Sequence, residues 1–228
     1  MIVYSANGKP PVESPFETAY QAAKYLNQFT QLSGFAVELR DKALRGDVSR
    51  EQAYWLHRLA VEQGTRIQRE ANPIKLGENL EPIFGLFEKA SRKLKFPSIT
   101  LRTADGAEVV MKRAGARSRY AGQVFVTDGG RFGENRYYGR IGAEGFVAGR
   151  DWNPALEPLL REFAKNPAEV AAKHGRLTGH CCFCEKALTD ARSLAVGYGS
   201  TCAKNYDLPW GSRTSEDTYP EHMELMVG

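Results

Sequence analysis

A chain of 228 residues with 42% hydrophobic and 25% charged side chains has the composition of an ordinary globular protein, which excludes wholesale disorder, collagen and a continuous coiled coil. The length accommodates one large domain or two small ones, and a net charge of +4 speaks to solubility and diffuse attraction rather than to a partner. No stretch approaches the roughly 20 apolar residues of a membrane helix, and Met1-Ile2-Val3-Tyr4-Ser5 lacks the basic start and apolar run of a signal peptide. A cytoplasmic protein with no membrane partner is therefore expected.

The first stretch reads as helical. Ser14-Pro15-Phe16-Glu17 offers a cap, a proline at the first helical position and a returning glutamate, and Phe16, Ala19, Ala23 and Leu26 follow at helical spacing. A second helix is expected over Phe35 to Leu44, ending near Gly46. Ser49-x-x-Gln52 opens a third, with Ala53, Leu56, Leu59, Ala60 and Ile67 on one face and a stop at Asn72-Pro73. Ile83, Phe84, Phe87, Ala90 and Leu94 form a fourth stripe.

Near Phe96-Pro97 the period shortens to about 2, which marks strands and a candidate domain seam. Two apolar runs, 98–103 and 107–112, flank Asp105-Gly106, a strong hairpin signal. Further strands are expected at 122–127, 137–141 and 145–147. Helices return at Asn153-Pro154 and Asn166-Pro167 and should brace the sheet. The expected organisation is α+β: a helical region at 1–97, a basic antiparallel β-sheet with bracing helices at 98–175, a zinc-knuckle-like segment at 176–211 and a flexible tail at 212–228.

All four cysteines, Cys181, Cys182, Cys184 and Cys202, fall in the last quarter of the chain, unlike the spread pairs of a secreted disulfide scaffold. Two thiolates at Cys-x-x-Cys spacing can clasp one tetrahedral ion, because the tight turn between them aims both sulfurs inward. Cys202 follows a glycine-rich approach and is the natural third ligand. For the fourth, ligand softness favours Cys182, then His180. His174, His222, water and a distant acidic residue remain open. A thioredoxin-type redox pair would need a βαβ setting, which is absent. A site closed by protein ligands would make the zinc structural rather than catalytic.

Cys181-x-x-Cys184, Leu188, Ser193, Gly197-x-Gly199 and Cys202 resemble a short cysteine-containing domain of unknown function found near the C-termini of many bacteriophage proteins. Its usual form is Cys-x-x-Cys-Gly-Arg-x-Leu, then Ser, then Gly-x-Gly-Pro-x-Cys. Glu185, Lys186 and Ser200 depart from it, and the likeness covers only about residues 176–211. The resemblance implies a phage or prophage origin and a zinc knuckle, and no established activity.

Residues 98–150 carry nine basic and five acidic side chains, whereas residues 151–228 carry eight and eleven. In the basic stretch Lys112, Arg113, Arg117, Arg119, Arg131, Arg136 and Arg140 lie close in sequence to Tyr120, Phe125, Phe132, Tyr137 and Tyr138. Cations that track phosphates, interleaved with rings on which bases stack, are the ingredients of a nucleic-acid-binding sheet. The candidate contacts are Arg113, Arg117, Arg119, Arg131, Arg136 and Tyr137. No phosphate-binding loop and no hydrolase or metalloprotease signature occurs, so a non-catalytic, zinc-containing nucleic-acid-binding protein is expected. The alternative is an inhibitor or adaptor that binds a host or phage protein such as a polymerase, nuclease or defence factor.

Overall fold

The structure, a computed structural model, describes residues 1–103 and 105–211; the expected tail at 212–228 and the candidate ligand His222 lie outside the described residues. The chain divides into two compact units, Met1–Asn72 and a second that opens at Pro73.

The first unit pairs two short antiparallel strands, β1 (Ile2–Val3) and β2 (Val12–Glu13), and adds three helices: α1 (Ala19–Leu26), α2 (Gly34–Leu44) and α3 (Arg50–Ala71). Ala22, Ala23 and Leu26 of α1 meet Leu39 and Ala43 of α2 and Leu56 and Ala60 of α3 in a small core. The alanines let the helices approach closely. The capping box is complete: Gln52 N donates to Ser49 Oγ, and Ser49 N donates to the Gln52 side chain.

Helix α1 starts later than the sequence suggests. Ser14 does not cap it; Ser14 Oγ lies 2.8 Å from His57 Nδ1 in a buried contact, and Thr18 takes over as cap by accepting from Gln21 N. Burial, with a smaller contribution from the positive Met1 amino group, holds the His57 pKa below its ordinary 6.5. The unfolded chain therefore binds the proton more readily. Stability that is complete above pH 6.5 is lost as the pH falls below that value. Amide-exchange protection of α1 and α3 should accordingly weaken between about pH 7 and pH 5, and the His57→Gln substitution should flatten that dependence.

The second unit begins with α4 (Glu81–Ser91) and continues into a five-stranded antiparallel meander. Its strands are β3 (Ser98–Arg102), β4 (Glu108–Arg113), β5 (Val124–Thr127), β6 (Tyr137–Gly142) and β7 (Gly145–Ala148), adjacent in chain order. A short 3-10 turn (Pro154–Leu156), α5 (Glu157–Lys165), α6 (Pro167–Thr178), α7 (Ala191–Val196) and α8 (Ser200–Tyr206) follow. The seam falls after Asn72 rather than near Phe96-Pro97, because α4 belongs to the sheet. Its Ile83, Phe87 and Ala90 share one core with Ile99, Leu101, Met111, Val124, Val126, Ile141 and Phe146, closed by Leu160 and Phe163 of α5 and Val170 and Ala171 of α6. Ile74 also exchanges backbone hydrogen bonds with Phe146 at 2.8 and 2.9 Å. Among the described residues no helix is long and apolar enough to cross a membrane.

Strand register sorts the side chains by face. Ile99, Met111, Val126 and Gly139 align across the sheet on the core side, and one step along Lys112, Phe125, Arg140 and Val147 align on the other. A bulge at Val126/Thr127 returns Tyr137 to the side of Phe125 while Tyr138 enters the core. Gly139 is obligatory: a Cβ there would lie 2.4 Å from both the Phe146 ring and Val147 O.

Candidate metal centre and aromatic sheet face

Asn166 caps α6 by accepting from Glu169 N, and the helix ends on left-handed Gly179. The chain then runs through a knuckle turn, in which Glu185 N donates to Cys181 O and Cys181 N to Lys186 O, both at 2.8 Å. Glu185 sits at φ +59°, a left-handed conformation that glycine adopts most easily. Asp190 caps α7 through Arg192 N and Ser193 N, and α8 carries Cys202 back over the turn.

The sulfurs of Cys181, Cys184 and Cys202 all lie within 4.8 Å of one another. A tetrahedral ion about 2.3 Å from each sulfur needs separations of about 3.8 Å, a small inward movement from this arrangement. The Cys181 sulfur sits beside the Cys202 thiol and near the backbone amides of Gly199, Phe183 and Cys184. The first proton of this pair therefore leaves easily: the Cys202 contact, aided by those amides, holds Cys181 well below the usual thiol range. Cys202 is pushed up by the same contact and by burial. A divalent cation would let the remaining protons leave. The three sulfurs can hold a metal ion.

The other candidates do not join them. Among the described residues the cluster comprises these three cysteines alone. Cys182, the favoured fourth ligand, belongs to the apolar core, because neighbouring side chains in the turn point to opposite sides. Burial raises its thiol pKa. His180 is exposed and its Nδ1 contacts Thr178 O at 2.9 Å. His174 Nδ1 accepts from Arg102 N at 3.1 Å.

The cysteine segment is fused to the sheet rather than standing apart as a separate knuckle. Strand β3 would leave an open edge, but Thr100 N donates to Cys182 O (2.8 Å), Arg102 N to His174, and Tyr206 Oη to Ser98 O (2.7 Å). Phe183 stacks on Tyr206 with centroids 3.8 Å apart and also meets Tyr198. The segment thus protects the edge strand from pairing elsewhere.

The face away from the core carries a chain of rings. Tyr120 meets Phe125 edge-on at 6.2 Å, and Phe125 meets Tyr137 at 6.1 Å. The Arg140 guanidinium lies 3.9 Å over the Tyr120 ring and donates to Gln123 Oε1 at 2.9 Å; Arg119 lies 5.5 Å from the same ring. Tyr137 and Arg119 of the expected contacts belong here. Arg117 is an exposed residue of the β4–β5 loop, and Arg131 and Arg136 are exposed in the β5–β6 loop. Arg113 does not belong: it pairs with core-facing Val124 and its Nη1 donates to Ser91 Oγ of α4 at 3.3 Å, on the opposite side. Lys112, Tyr120, Phe125 and Arg140 join the face instead. Strand alternation would have separated Lys112 from Arg113; the placement of Tyr120, in a loop, has no comparable sequence signal.

A family model described as "Family of unknown function (DUF6011)" matches residues 171–207, the stretch from α6 to the beginning of the turn after α8. No curated protein and no solved structure matches the chain.

Proposed function

We propose that this protein binds nucleic acid without catalysing a reaction, and that its C-terminal cysteines hold a structural zinc ion which keeps the sheet edge closed. The observation that carries this reading is the outward face of the meander, where Tyr120, Phe125 and Tyr137 lie in contact, the exposed Arg119 and Lys112 are set among them, and the buried Arg140 guanidinium braces Tyr120 from below. Rings on an antiparallel sheet can stack bases, and guanidinium groups can track phosphates. Zinc suits three clustered sulfurs because it is borderline-soft and tetrahedral. The likeness of the cysteine segment to a bacteriophage domain supports a place in phage DNA metabolism or gene expression.

The test is an anisotropy titration with fluorescein-labelled oligonucleotides at about 50 and 200 mM salt. Affinity should fall steeply with salt. Phe125→Ala should weaken binding about fivefold or more without changing the salt slope. Arg119→Ala should reduce the slope by about 0.7–0.9 if it neutralises one phosphate. Absence of binding at the lower salt would overturn the reading and leave the adaptor for a host or phage protein in its place.

A further inference from the structure

We infer that the β5–β6 loop is a pre-formed finger that places Phe132 against an unpaired base, so that the ligand of the sheet face is single-stranded nucleic acid. This rests on the reading above and names the form of nucleic acid that it leaves open.

The loop spans residues 128–136 and is held at both ends by one carboxylate. Asp128 Oδ1 accepts from Gly130 N at 2.9 Å, and Asp128 Oδ2 accepts from Arg136 N at 3.1 Å. Within it, Glu134 N and Asn135 N both donate to Arg131 O, at 3.1 and 2.9 Å. From beyond β7, Arg150 Nη2 donates to Asn135 O at 2.8 Å. Gly129 and Gly133, at φ +82° and +94°, supply the left-handed turns on either side of the tip. Chain entropy has thus been given up to fix this loop.

At its tip the structure places Phe132 with a relative exposure of 103%. A phenyl ring held fully in water contributes nothing to the core that the loop leaves behind. An aromatic side chain on an ordered support is, however, a platform on which an unpaired base can stack. The immediate chemistry agrees: Arg131 and Arg136 flank the ring in sequence, and the acid Asp128 is occupied by backbone amides. Glu134 is the other acid of the loop.

The hairpin ties the finger to the ring face. The loop leaves the sheet directly after Thr127 and re-enters at Tyr137, the last ring of the Tyr120–Phe125–Tyr137 series, so the tip and the last of those rings belong to one hairpin. Rings in series suit successive unstacked bases. In a duplex those base faces are already covered by their neighbours, so a duplex could use the arginines but not the rings.

The experiment compares a fluorescein-labelled single-stranded 12-mer with its duplex, in wild type, Phe132→Ala and Phe132→Trp. At about 50 mM salt wild type should prefer the single strand by about tenfold or more. Phe132→Ala should weaken single-strand binding about five- to hundredfold, with an unchanged salt slope and unchanged duplex binding. Its melting temperature should equal that of wild type, since the ring touches no core. Phe132→Trp should retain affinity, and its added emission should be quenched by the single strand. A preference for duplex, or a Phe132→Ala protein that binds the single strand like wild type, overturns the finger and leaves nucleic-acid binding intact. Failure of wild type to bind either oligonucleotide overturns both.

Discussion

Cys184→Ser is expected to strip the metal from this protein and to lower the melting temperature of its second unit by about 10 °C or more. Cys184 is the exposed member of the cluster, so its thiol has little packing to lose, and without a metal the substitution should fall within about 0.5 kcal/mol of neutral. With a metal, an ion present at about a thousandfold excess over its Kd stabilises by about 4 kcal/mol, which in a unit of this size corresponds to a shift of that order. A chelator should produce the same shift in wild type. Cys182→Ala should keep the metal, because Cys182 faces the core and not the cluster. The effect should be largest locally: Phe183, Tyr198 and Tyr206 anchor the segment to the sheet, so amide exchange should accelerate most around the cysteines and along β3 and less in β4 to β6. Elemental analysis by mass spectrometry together with calorimetry decides the matter. Metal-free wild type that melts together with Cys184→Ser would defeat the metal centre.

Gly197→Ala should destabilise the same unit by about 3 kcal/mol or more, whereas Gly199→Ala, two residues along, should cost about 1 kcal/mol or less. A Cβ on Gly197 would sit 2.0 Å from Ala172 O, and the residue adopts φ +82°. The partner backbone belongs to α6 and cannot swing aside as a side-chain end would. Gly175, on the facing turn of α6, is equally constrained, since its Cβ would lie 1.9 Å from Gly197 O. Gly199 instead faces open space. Denaturant midpoints measure the difference, and equal effects of the two substitutions would show that α6 and α7 are not in this contact. Because Gly197 O also accepts from Cys182 N at 3.4 Å, Gly197→Ala should shift the turn that carries Cys181 and Cys184 and reduce metal content in parallel.

Much of this molecule was legible from local rules. The capping box at Ser49, the Asp105-Gly106 turn between β3 and β4, the asparagine caps of the later helices and the α+β class follow from signals spanning a few residues. So did the three clustered sulfurs, because Cys-x-x-Cys is itself a local geometry and Cys202 was the one remaining distant thiol. Where sequence reading failed, a long-range contact had won. Ser14 had the residues of a cap but was claimed by His57, 43 positions away. Helix α4 reads as part of the helical region until its apolar stripe is seen against the sheet. Cys182 has the right ligand chemistry but faces the core.

The sequence by itself determined helices α1 to α6, the sheet hairpin and the thiol chemistry, since each depends on backbone propensities and side-chain character within a turn or two of chain. It did not determine the short strands β1 and β2 at the start of the expected helical region. Only the tertiary structure decided which arginines share a face with the rings, which glycine of Gly197-x-Gly199 is indispensable and what closes the edge of β3. Those outcomes depend on strand register and on helix-to-helix approach at ångström scale, set by the packing of residues far apart in the chain.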